Sequence, residues 1–284
     1  PSHGSRIIVF SPHSDDETIG TGGLLRKASI EGAEVWIVLI TNGDGYKYGA
    51  MADSHSLLIK PGYYVNYGYR RQLETKSALK SLGIKNAHII TLGYPDRGLE
   101  PMWNSYWSKS YTSPFTRDSA SPYGNSYTPG APYRGMQLLS DLKKVLKEVN
   151  PTDIYIPHPN DQHPDHWATS AFVTRALYDL EWLEKKNIGF YLIHSGNWPV
   201  PQGLHENVNL APPAALAELD TKWFEYALDE ETIKIKKSAI ENYHTQTSTM
   251  GRFLRSFIRK NELFGTRTVT KTVPESSDIS VNGN

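Results

Sequence analysis

Two short segments carry the residue types that bind metal ions and move protons. The first is Pro12–Glu17, with the sequence PHSDDE, and the second is His158–His166, with the sequence HPNDQHPDH. Each follows a run of apolar and β-branched residues that is typical of a buried strand. The 284 residues include no cysteine, so a metal ion here must be held by His, Asp or Glu.

His13, Asp16 and His166 are the candidate metal ligands. His13 and Asp16 are three residues apart, so a tight turn or a first helical turn can point both at one ion. His166 can complete the set from the start of the helix that follows the neighbouring strand. Three His or carboxylate ligands with an open fourth position are typical of catalytic zinc. The sequence therefore predicts one Zn²⁺ per chain.

Asp15, His163 and Asp165 are the candidate catalytic residues. Zinc lowers the pKa of its water toward about 7, and Asp15 could take the proton as that water attacks a carbonyl. His163, as an imidazolium, could stabilise the resulting oxyanion, and Asp165 could raise its pKa and fix its tautomer. The alternative is that these residues only shape turns and cap helices. Two such clusters, each at the end of a strand, argue for the site.

The hydrophobic pattern predicts the elements that must position these residues. Short apolar runs predict strands at 6–11, 34–41, 87–92, 153–157 and 188–194. Helical segments are expected at 24–30, 70–82, 136–149 and 166–186. This alternation predicts an α/β fold with a mainly parallel sheet. Ligands of such sheets bind beyond the carboxyl ends of the strands, where both polar clusters lie.

Three segments do not follow this alternation. Residues 45–69 and 95–134 are rich in aromatic residues without a clear period, which predicts long loop insertions. Their aromatic content argues against disorder. Residues 266–284 are polar and predict a surface strand or a loose tail. No internal repeat is present, and we expect one domain over residues 1–284.

Trp103 and Trp107, in the second insertion, are candidate substrate-binding residues. With Tyr106 and Tyr111 they could form a stacking platform, because aromatic faces suit the apolar faces of pyranose rings. The alternative is that these rings pack into a small core beneath a long loop.

The two clusters resemble those of the LmbE-like family. This family includes the N-acetylglucosaminyl-phosphatidylinositol de-N-acetylases (PIG-L) and bacterial deacetylases of thiol-precursor glycosides. The resemblance rests on PHSDDE followed by Gly22-Gly23, and on the sequence HPDH at residues 163–166. Ser14 stands where the family usually has Pro, which leaves the proposed ligands intact. Weaker likenesses are the RQLE sequence at 71–74 and the segments KSA at 237–239 and YHTQ at 243–246.

The resemblance implies a Rossmann-like three-layer sandwich and zinc-dependent removal of an acetyl group from a glucosamine-type sugar. His13, Asp16 and His166 match the metal ligands, Asp15 the general base, and His163 the residue that stabilises the oxyanion or protonates the amine. Arg71 matches a position near the substrate pocket. The alternative for Arg71 is an ion pair on the helix surface with Glu74 or Glu100.

Other functions fit these residues less well. A zinc amidase acting on a non-sugar N-acyl substrate stays open. A carbohydrate-binding module with a structural metal would leave Asp15 and His163 without a task. The balanced charge of 30 basic and 30 acidic residues provides no field that would attract nucleic acid.

The sequence gives little on location and assembly. No apolar run is long enough to span a membrane. The start at Pro1 indicates processing or trimming, and the lack of cysteine is compatible with export or the cell envelope. The oligomeric state is open.

Overall fold

The chain forms a seven-stranded sheet with helices on both faces in the computed structural model, which describes residues 3–216 and 221–267. The strands are β1 (Arg6–Ser11), β2 (Glu34–Thr41), β3 (His88–Tyr94), β4 (Asp153–Pro157), β5 (Asn187–Tyr191), β6 (Thr221–Ala227) and β7 (Asn261–Arg267). The helices are α1 (Asp16–Ile30), α2 (Lys47–Ser54), α3 (Pro61–Ser81), α4 (Leu99–Asn104), α5 (Gly135–Val149), α6 (Pro164–Asp179), α7 (Glu230–Ile240) and α8 (His244–Arg255).

The strand order is β3-β2-β1-β4-β5-β7-β6. The first five strands of this order pair in parallel, whereas β7 pairs antiparallel with both β5 and β6. The predicted fold class, a three-layer α/β sandwich with a mainly parallel sheet, is confirmed. The antiparallel edge formed by β6 and β7 was not predicted.

Strand β1 shows how the sheet separates two cores. Ile7 and Val9 pack on one face, and Ile8 and Phe10 pack on the other. All four are fully buried, because successive side chains of a strand point to opposite faces and helices cover both. Burial on both faces explains why residues 7–10 form a continuous apolar run rather than an alternating one.

The sheet reverses its order at β1. From β1 the chain moves outward to β2 and β3, and then returns to place β4 on the other side of β1. Loops that leave the carboxyl ends of β1 and β4 therefore diverge and open a crevice between them. The two polar clusters of the sequence occupy these two loops.

Helix α1 begins at Asp16 rather than at residue 24, because the glycines in its first half are helical. A Cβ at Gly23 would lie 2.4 Å from a Leu228 methyl group, so glycine at this position allows the close approach of that side chain. The helix can thus pack closely against its neighbours. It also carries Asp16 at its first position, directly after the loop that follows β1.

The predicted insertion at 45–69 was wrong. This segment contains α2 and the first turns of α3, which begins at Pro61. Proline is well suited to the first helical position, and Tyr64 and Tyr67, three residues apart, face the interior. Their pattern was missed because tyrosine was counted as a loop residue.

Other predicted bounds shift by smaller amounts. The segment 95–134 contains only the short helix α4 and is otherwise irregular, as predicted. Helix α6 ends at Asp179 rather than at 186. Residue 266 belongs to β7, and residues 268–284 lie outside the described part of the chain. Within the described ranges, no helix is both long and apolar enough to cross a bilayer.

A buried ion pair fastens α1 to the C-terminal elements. The Lys236 Nζ donates to Glu262 Oε1 at 2.6 Å and to the Ile19 carbonyl at 2.8 Å. Glu262 also accepts the backbone N–H groups of Gly23 and Leu24. Lys236 and Glu262 are 0% and 1% exposed. Both charges of the pair are therefore satisfied by each other and by backbone groups in the middle of α1.

We expect Lys236→Met to lower the free energy of unfolding by about 3–5 kcal/mol, because it leaves the Glu262 carboxylate buried without a counter-charge. Urea titration followed by circular dichroism measures the change. Lys237→Met is the control, since its pair with Glu206 is exposed and contributes about 1 kcal/mol or less. Equal losses in the two variants would contradict this role for Lys236.

Candidate active site

Three donor atoms converge where the loops after β1 and β4 meet. His13 Nδ1 lies 3.1 Å from Asp16 Oδ2, and His166 Nε2 lies 3.1 Å from the same oxygen. The two imidazole nitrogens are 3.3 Å apart. The predicted ligands therefore form a nearly equilateral triangle, with one residue from the loop, one from the first turn of α1 and one from α6.

The three donor atoms are spaced like one face of a tetrahedral metal site. Zinc binds His nitrogen and carboxylate oxygen at about 2.0–2.2 Å, which places ligand atoms of a tetrahedron roughly 3.3 Å apart. The distances of 3.1–3.3 Å match this value. His163 and His194 lie within 4.8 Å of members of this set. They fit less well as ligands, because the close triangle already uses His13, Asp16 and His166.

Two carboxylates orient the His13 ring. Its Nε2 lies 3.3 Å from Asp165 Oδ2 and 3.4 Å from Asp96 Oδ1. Acceptors at Nε2 place the ring proton there and leave the Nδ1 lone pair free for a metal ion. The Asp165 carboxylate also accepts the backbone N–H of Arg97 at 2.6 Å, so it ties this histidine to the loop after β3.

A third carboxylate orients His166. Its Nδ1 lies 3.2 Å from Asp161 Oδ2, so Nε2 faces the metal position. The Asp161 side chain accepts three backbone N–H groups as well, from His163, Ile193 and His194. Asp161 therefore holds the loop after β4 and the segment after β5 in one arrangement around His166.

The charge of the cluster also suits a cation. Burial alone would lower the pKa of His166, but Asp16 and Asp161 raise it to about 9. The pKa of His13 is likewise raised, because its hydrogen bonds to Asp16, Asp165 and Asp96 outweigh burial. Both shifts come from the surrounding carboxylates, whose negative charge would equally favour a bound divalent cation.

Asp15 is fastened by Arg71. The guanidinium donates to Asp15 Oδ2 at 3.2 Å, to the Ser14 carbonyl at 2.6 Å and to the Gly43 carbonyl at 2.7 Å. Arg71 is 2% exposed and lines the cavity, so it lies near the predicted pocket. The alternative for Arg71, an ion pair on the helix surface with Glu74 or Glu100, was therefore wrong. Glu74 instead accepts the backbone N–H and the hydroxyl of Thr245.

The backbone of Asp15 is strained. Its φ of 137° is unusual for a residue with a Cβ, and such conformations persist only where the surroundings impose them. The Asp15 N–H donates to Glu17 Oε2, and the Glu17 carboxylate also accepts the hydroxyls of Ser11, Thr18 and Tyr243. Burial raises the pKa of Asp15 to about 8, and Arg71 opposes this shift.

The predicted pairing of His163 with the Asp165 carboxylate was wrong. The Nδ1 atom of His163 accepts the backbone N–H of Asp165 at 3.2 Å, which caps the N-terminus of α6. The carboxylate of Asp165 points to His13 instead. Burial and the neighbouring imidazoles lower the pKa of His163 to about 2, so the ring is neutral and carries its proton on Nε2.

A cavity of about 210 Å³ opens over these groups. Polar residues line one side and apolar residues line the other, where Ile19 and Ile193 meet the face of α8. The α8 residues at this wall are Gln246, Met250, Phe253 and Leu254. The catalytic candidates Asp15 and His163 face the cavity together with His13 and Asp16. It is therefore a candidate pocket for a small substrate beside the metal position.

Trp103 and Trp107 do not line this cavity. Trp103 packs edge-on against Phe172 of α6, and Trp107 stacks in parallel on the same ring at 6.0 Å. Both indoles belong to the core on the α5–α6 side of the sheet or cover it. They therefore pack on the large core of this face of the sheet, which is neither the stacking platform nor the separate small core considered for them.

Sequence reasoning missed Asp96, Asp161, Glu17 and His194. Asp161 and Glu17 lie inside the quoted clusters, and the need of each metal-binding His for a second acceptor could have indicated Asp161. His194 follows β5, the strand next to β4, so it also lies at the carboxyl edge. Asp96 follows β3 at that same edge, but it was counted as part of an insertion.

A mainly parallel α/β sheet with a His/Asp cluster at its switch point defines a protein with a candidate metal-dependent active site. Residues 8–177 match the family PIG-L: GlcNAc-PI de-N-acetylase. Because this match covers more than half of the 284 residues, the chain belongs to that family.

Relatives of this chain include two sugar deacetylases. A 1D-myo-inositol 2-acetamido-2-deoxy-alpha-D-glucopyranoside deacetylase from Mycolicibacterium smegmatis is 28% identical over 193 residues, which cover 62% of this chain and 54% of that protein. A diacetylchitobiose deacetylase from Thermococcus kodakarensis is 28% identical over 164 residues, 57% and 45% of the two chains. The chain thus spans about half the length of these curated relatives.

A solved structure shows the same fold. The zinc-inhibited form of a teicoplanin deacetylase superposes with a TM-score of 0.58 at 16% sequence identity. The match covers 94% of this chain and 100% of that one.

We expect the purified protein to bind a divalent metal ion through the triangle. His13→Ala and His166→Ala should each abolish binding in a zinc titration by calorimetry, and Asp161→Asn should weaken it by about 10–100-fold. His88→Ala and Asp179→Asn are matched controls, since neither residue belongs to the donor cluster. His88 stacks on Trp36 at the start of β3, and Asp179 pairs with Lys143 at the end of α6. Wild-type affinity in both ligand variants would contradict the assignment.

Proposed function

We propose that this protein is a zinc-dependent hydrolase that removes the acetyl group from an N-acetylglucosamine-type sugar or glycoconjugate. The observation that carries the proposal is the convergence of three metal donors with Asp15 and His163 on one cavity. Membership in a family described as de-N-acetylases, and relatives named as deacetylases of acetylated sugars, support it.

Zinc is the ion that the donor set favours. Two imidazoles and one carboxylate suit zinc better than magnesium or calcium, which prefer oxygen ligands. Held by His13, Asp16 and His166, zinc would activate a water molecule and polarise the amide carbonyl of the substrate. We propose one such ion per chain.

Asp15 is the proposed general base. Its Oδ2 accepts from Arg71, so the other carboxylate oxygen can take a proton from the attacking water. Arg71 and a neighbouring divalent cation both favour the ionised carboxylate that this role requires, against the effect of burial. Arg71 is therefore a positioning residue, which holds Asp15 in its strained backbone conformation and supports its charge.

His163 is the proposed hydrogen-bond donor to the developing oxyanion. Its Nδ1 is occupied by the N–H of Asp165, so Nε2–H is the donor available on the cavity side. A neutral donor needs no imidazolium, which corrects the charge state expected from the sequence. Asp165 acts on the His13 ring and on the loop after β3, so we propose a positioning role for it rather than a catalytic one.

The protein should release acetate from N-acetylglucosamine conjugates, and removal of metal should abolish the release. We expect activity to disappear after dialysis against a chelator and to return with about one equivalent of Zn²⁺ per chain. Acetate is measured over a panel of acetylated sugars, acetyl-lysine peptides and small amides. Turnover of the peptides or amides alone would support an amidase acting on non-sugar substrates instead.

We expect Asp15→Asn to lower kcat by about 10²-fold or more and to retain the metal, because an amide cannot accept the proton of the attacking water. Steady-state kinetics and metal analysis on the same sample separate the two effects. Asp179→Asn is the control for a lost surface carboxylate. If Asp15→Asn loses the metal and Asp16→Asn retains it, the roles of these two residues are reversed.

A further inference from the structure

Asp15 and Asp16 are adjacent in the sequence, and both line the cavity. Consecutive side chains point about 100° apart on a helix and to opposite faces of a strand, so regular backbone would turn one of the two away. The backbone departs from regular structure at this point, where the φ of Asp15 is 137° directly before the first residue of α1. The two roles proposed for this pair therefore depend on one unusual conformation.

The Glu17 carboxylate contacts the backbone of Asp15. Its Oε2 accepts the Asp15 N–H at 3.2 Å, whereas Arg71 contacts the Asp15 side chain. Glu17 is fully buried. Within residues 3–216 and 221–267 no basic side chain forms an ion pair with it, so hydrogen bonds must stabilise its charge. The donors that surround Glu17 therefore decide how firmly it holds the Asp15 N–H.

Tyr243 is the donor that reaches Glu17 from the C-terminal part of the chain. It lies between α7 and α8, is fully buried, and is 226 residues from Glu17 in the sequence. Its hydroxyl donates to Glu17 Oε1 and lies 2.8 Å from the hydroxyl of Thr18. Tyr243 does not line the cavity, so contact with a substrate gives it no role. Its hydroxyl instead connects the C-terminal helices to the turn that carries Asp15.

We propose that Tyr243 is a positioning residue of the hydrolase, which acts on Asp15 through Glu17. This inference rests on the proposed function, in which Asp15 takes the proton of the attacking water. Without the Tyr243 hydroxyl, the Glu17 carboxylate can turn toward the remaining donor on that side, Thr18, and its hold on the Asp15 N–H weakens. Asp15 then relaxes toward an ordinary φ, because such a conformation persists only where its neighbours impose it. Its carboxylate leaves the position that proton transfer needs.

The metal donors should not depend on this link. Asp16 belongs to α1, and its Oδ2 accepts the backbone N–H of His13 at 2.9 Å. His166 lies on α6 and is oriented by Asp161. Loss of the Tyr243 hydroxyl should therefore slow catalysis and leave the zinc affinity unchanged, which separates positioning of the base from damage to the metal site.

Hydrogen exchange of the Asp15 amide, followed by NMR in the metal-free protein, tests the link without a substrate. We expect Tyr243→Phe to increase this exchange rate by about tenfold or more, the usual effect of losing a hydrogen bond to a charged group. Tyr94→Phe is the matched control and should leave the rate unchanged. Tyr94 is also buried, and its hydroxyl donates to the buried Asp141 carboxylate at 2.8 Å on the other face of the sheet.

Steady-state kinetics on an N-acetylglucosamine conjugate test the consequence for the reaction. Tyr243→Phe should lower kcat by about tenfold or more with KM and zinc affinity unchanged, since a misplaced base slows only the chemical step. In the Asp15→Asn background the same substitution should have no further effect, because the residue that Tyr243 positions is already inactive. Glu17→Gln is a second variant with the same expected result, because its amide nitrogen accepts no hydrogen bond.

Two results would overturn the proposal. An unchanged Asp15 exchange rate in both Tyr243→Phe and Glu17→Gln would refute the link, whatever the activity. An equal loss of kcat in the wild-type and Asp15→Asn backgrounds would show that Tyr243 acts independently of Asp15. If the wild type releases acetate from no acetylated sugar, the deacetylase function fails, and the catalytic role of Tyr243 fails with it. Faster exchange in Tyr243→Phe would then show that the function has failed and the link has not.

Discussion

The burial of several carboxylates around two imidazoles is the constraint on which the rest of this site depends. A buried carboxylate without partners is strongly destabilising, so each must be given hydrogen-bond donors or an opposite charge. In this fold the donors are mostly backbone N–H groups of the loops themselves. Asp161 takes three of them and Asp165 takes two. The loop conformations are stabilised because their backbone N–H groups donate to the buried carboxylates. The same carboxylates lie against the imidazole nitrogens and so orient the histidines.

One consequence is that the loops are not independent. Asp165 joins the start of α6 to the loop after β3 and to His13 after β1. Arg71, from α3, joins the loops after β1 and β2. The links of Asp165 to His13 and of Arg71 to both loops are buried, where a hydrogen bond to a charged group contributes more than at the surface. The three candidate metal donors, Asp15 and the loop after β3 therefore form one connected structure at the carboxyl edge of the sheet.

The sequence predicts what depends on local pattern. Apolar runs located the five parallel strands, and the spacing of His13, Asp16 and His166 identified the donors that the fold brings together. The sequence does not predict which side chains from different loops pair with each other across the crevice. Asp165 is two residues from His163 in the sequence, but only its backbone N–H contacts the His163 ring, at Nδ1. The carboxylate of Asp165 lies against His13 instead. Proximity along the chain was therefore a poor guide to pairing.

The C-terminal third shows the same limit on a larger scale. The apolar wall of the cavity comes from α8, which follows β6 and α7, and the chain then returns as β7 to pair antiparallel with β5. Neither β6 nor β7 was predicted, because both mix polar and apolar residues and lack the continuous apolar run of the buried parallel strands.

This arrangement separates the two tasks of the site. The parallel half of the sheet supplies the three candidate metal donors, Asp15 and His163, with donor distances that fit a tetrahedral metal site. The α8 wall lies on a later segment, outside the set of carboxylates that orient the two histidines. In such a design, selection of the substrate can diverge among relatives while the chemistry stays the same.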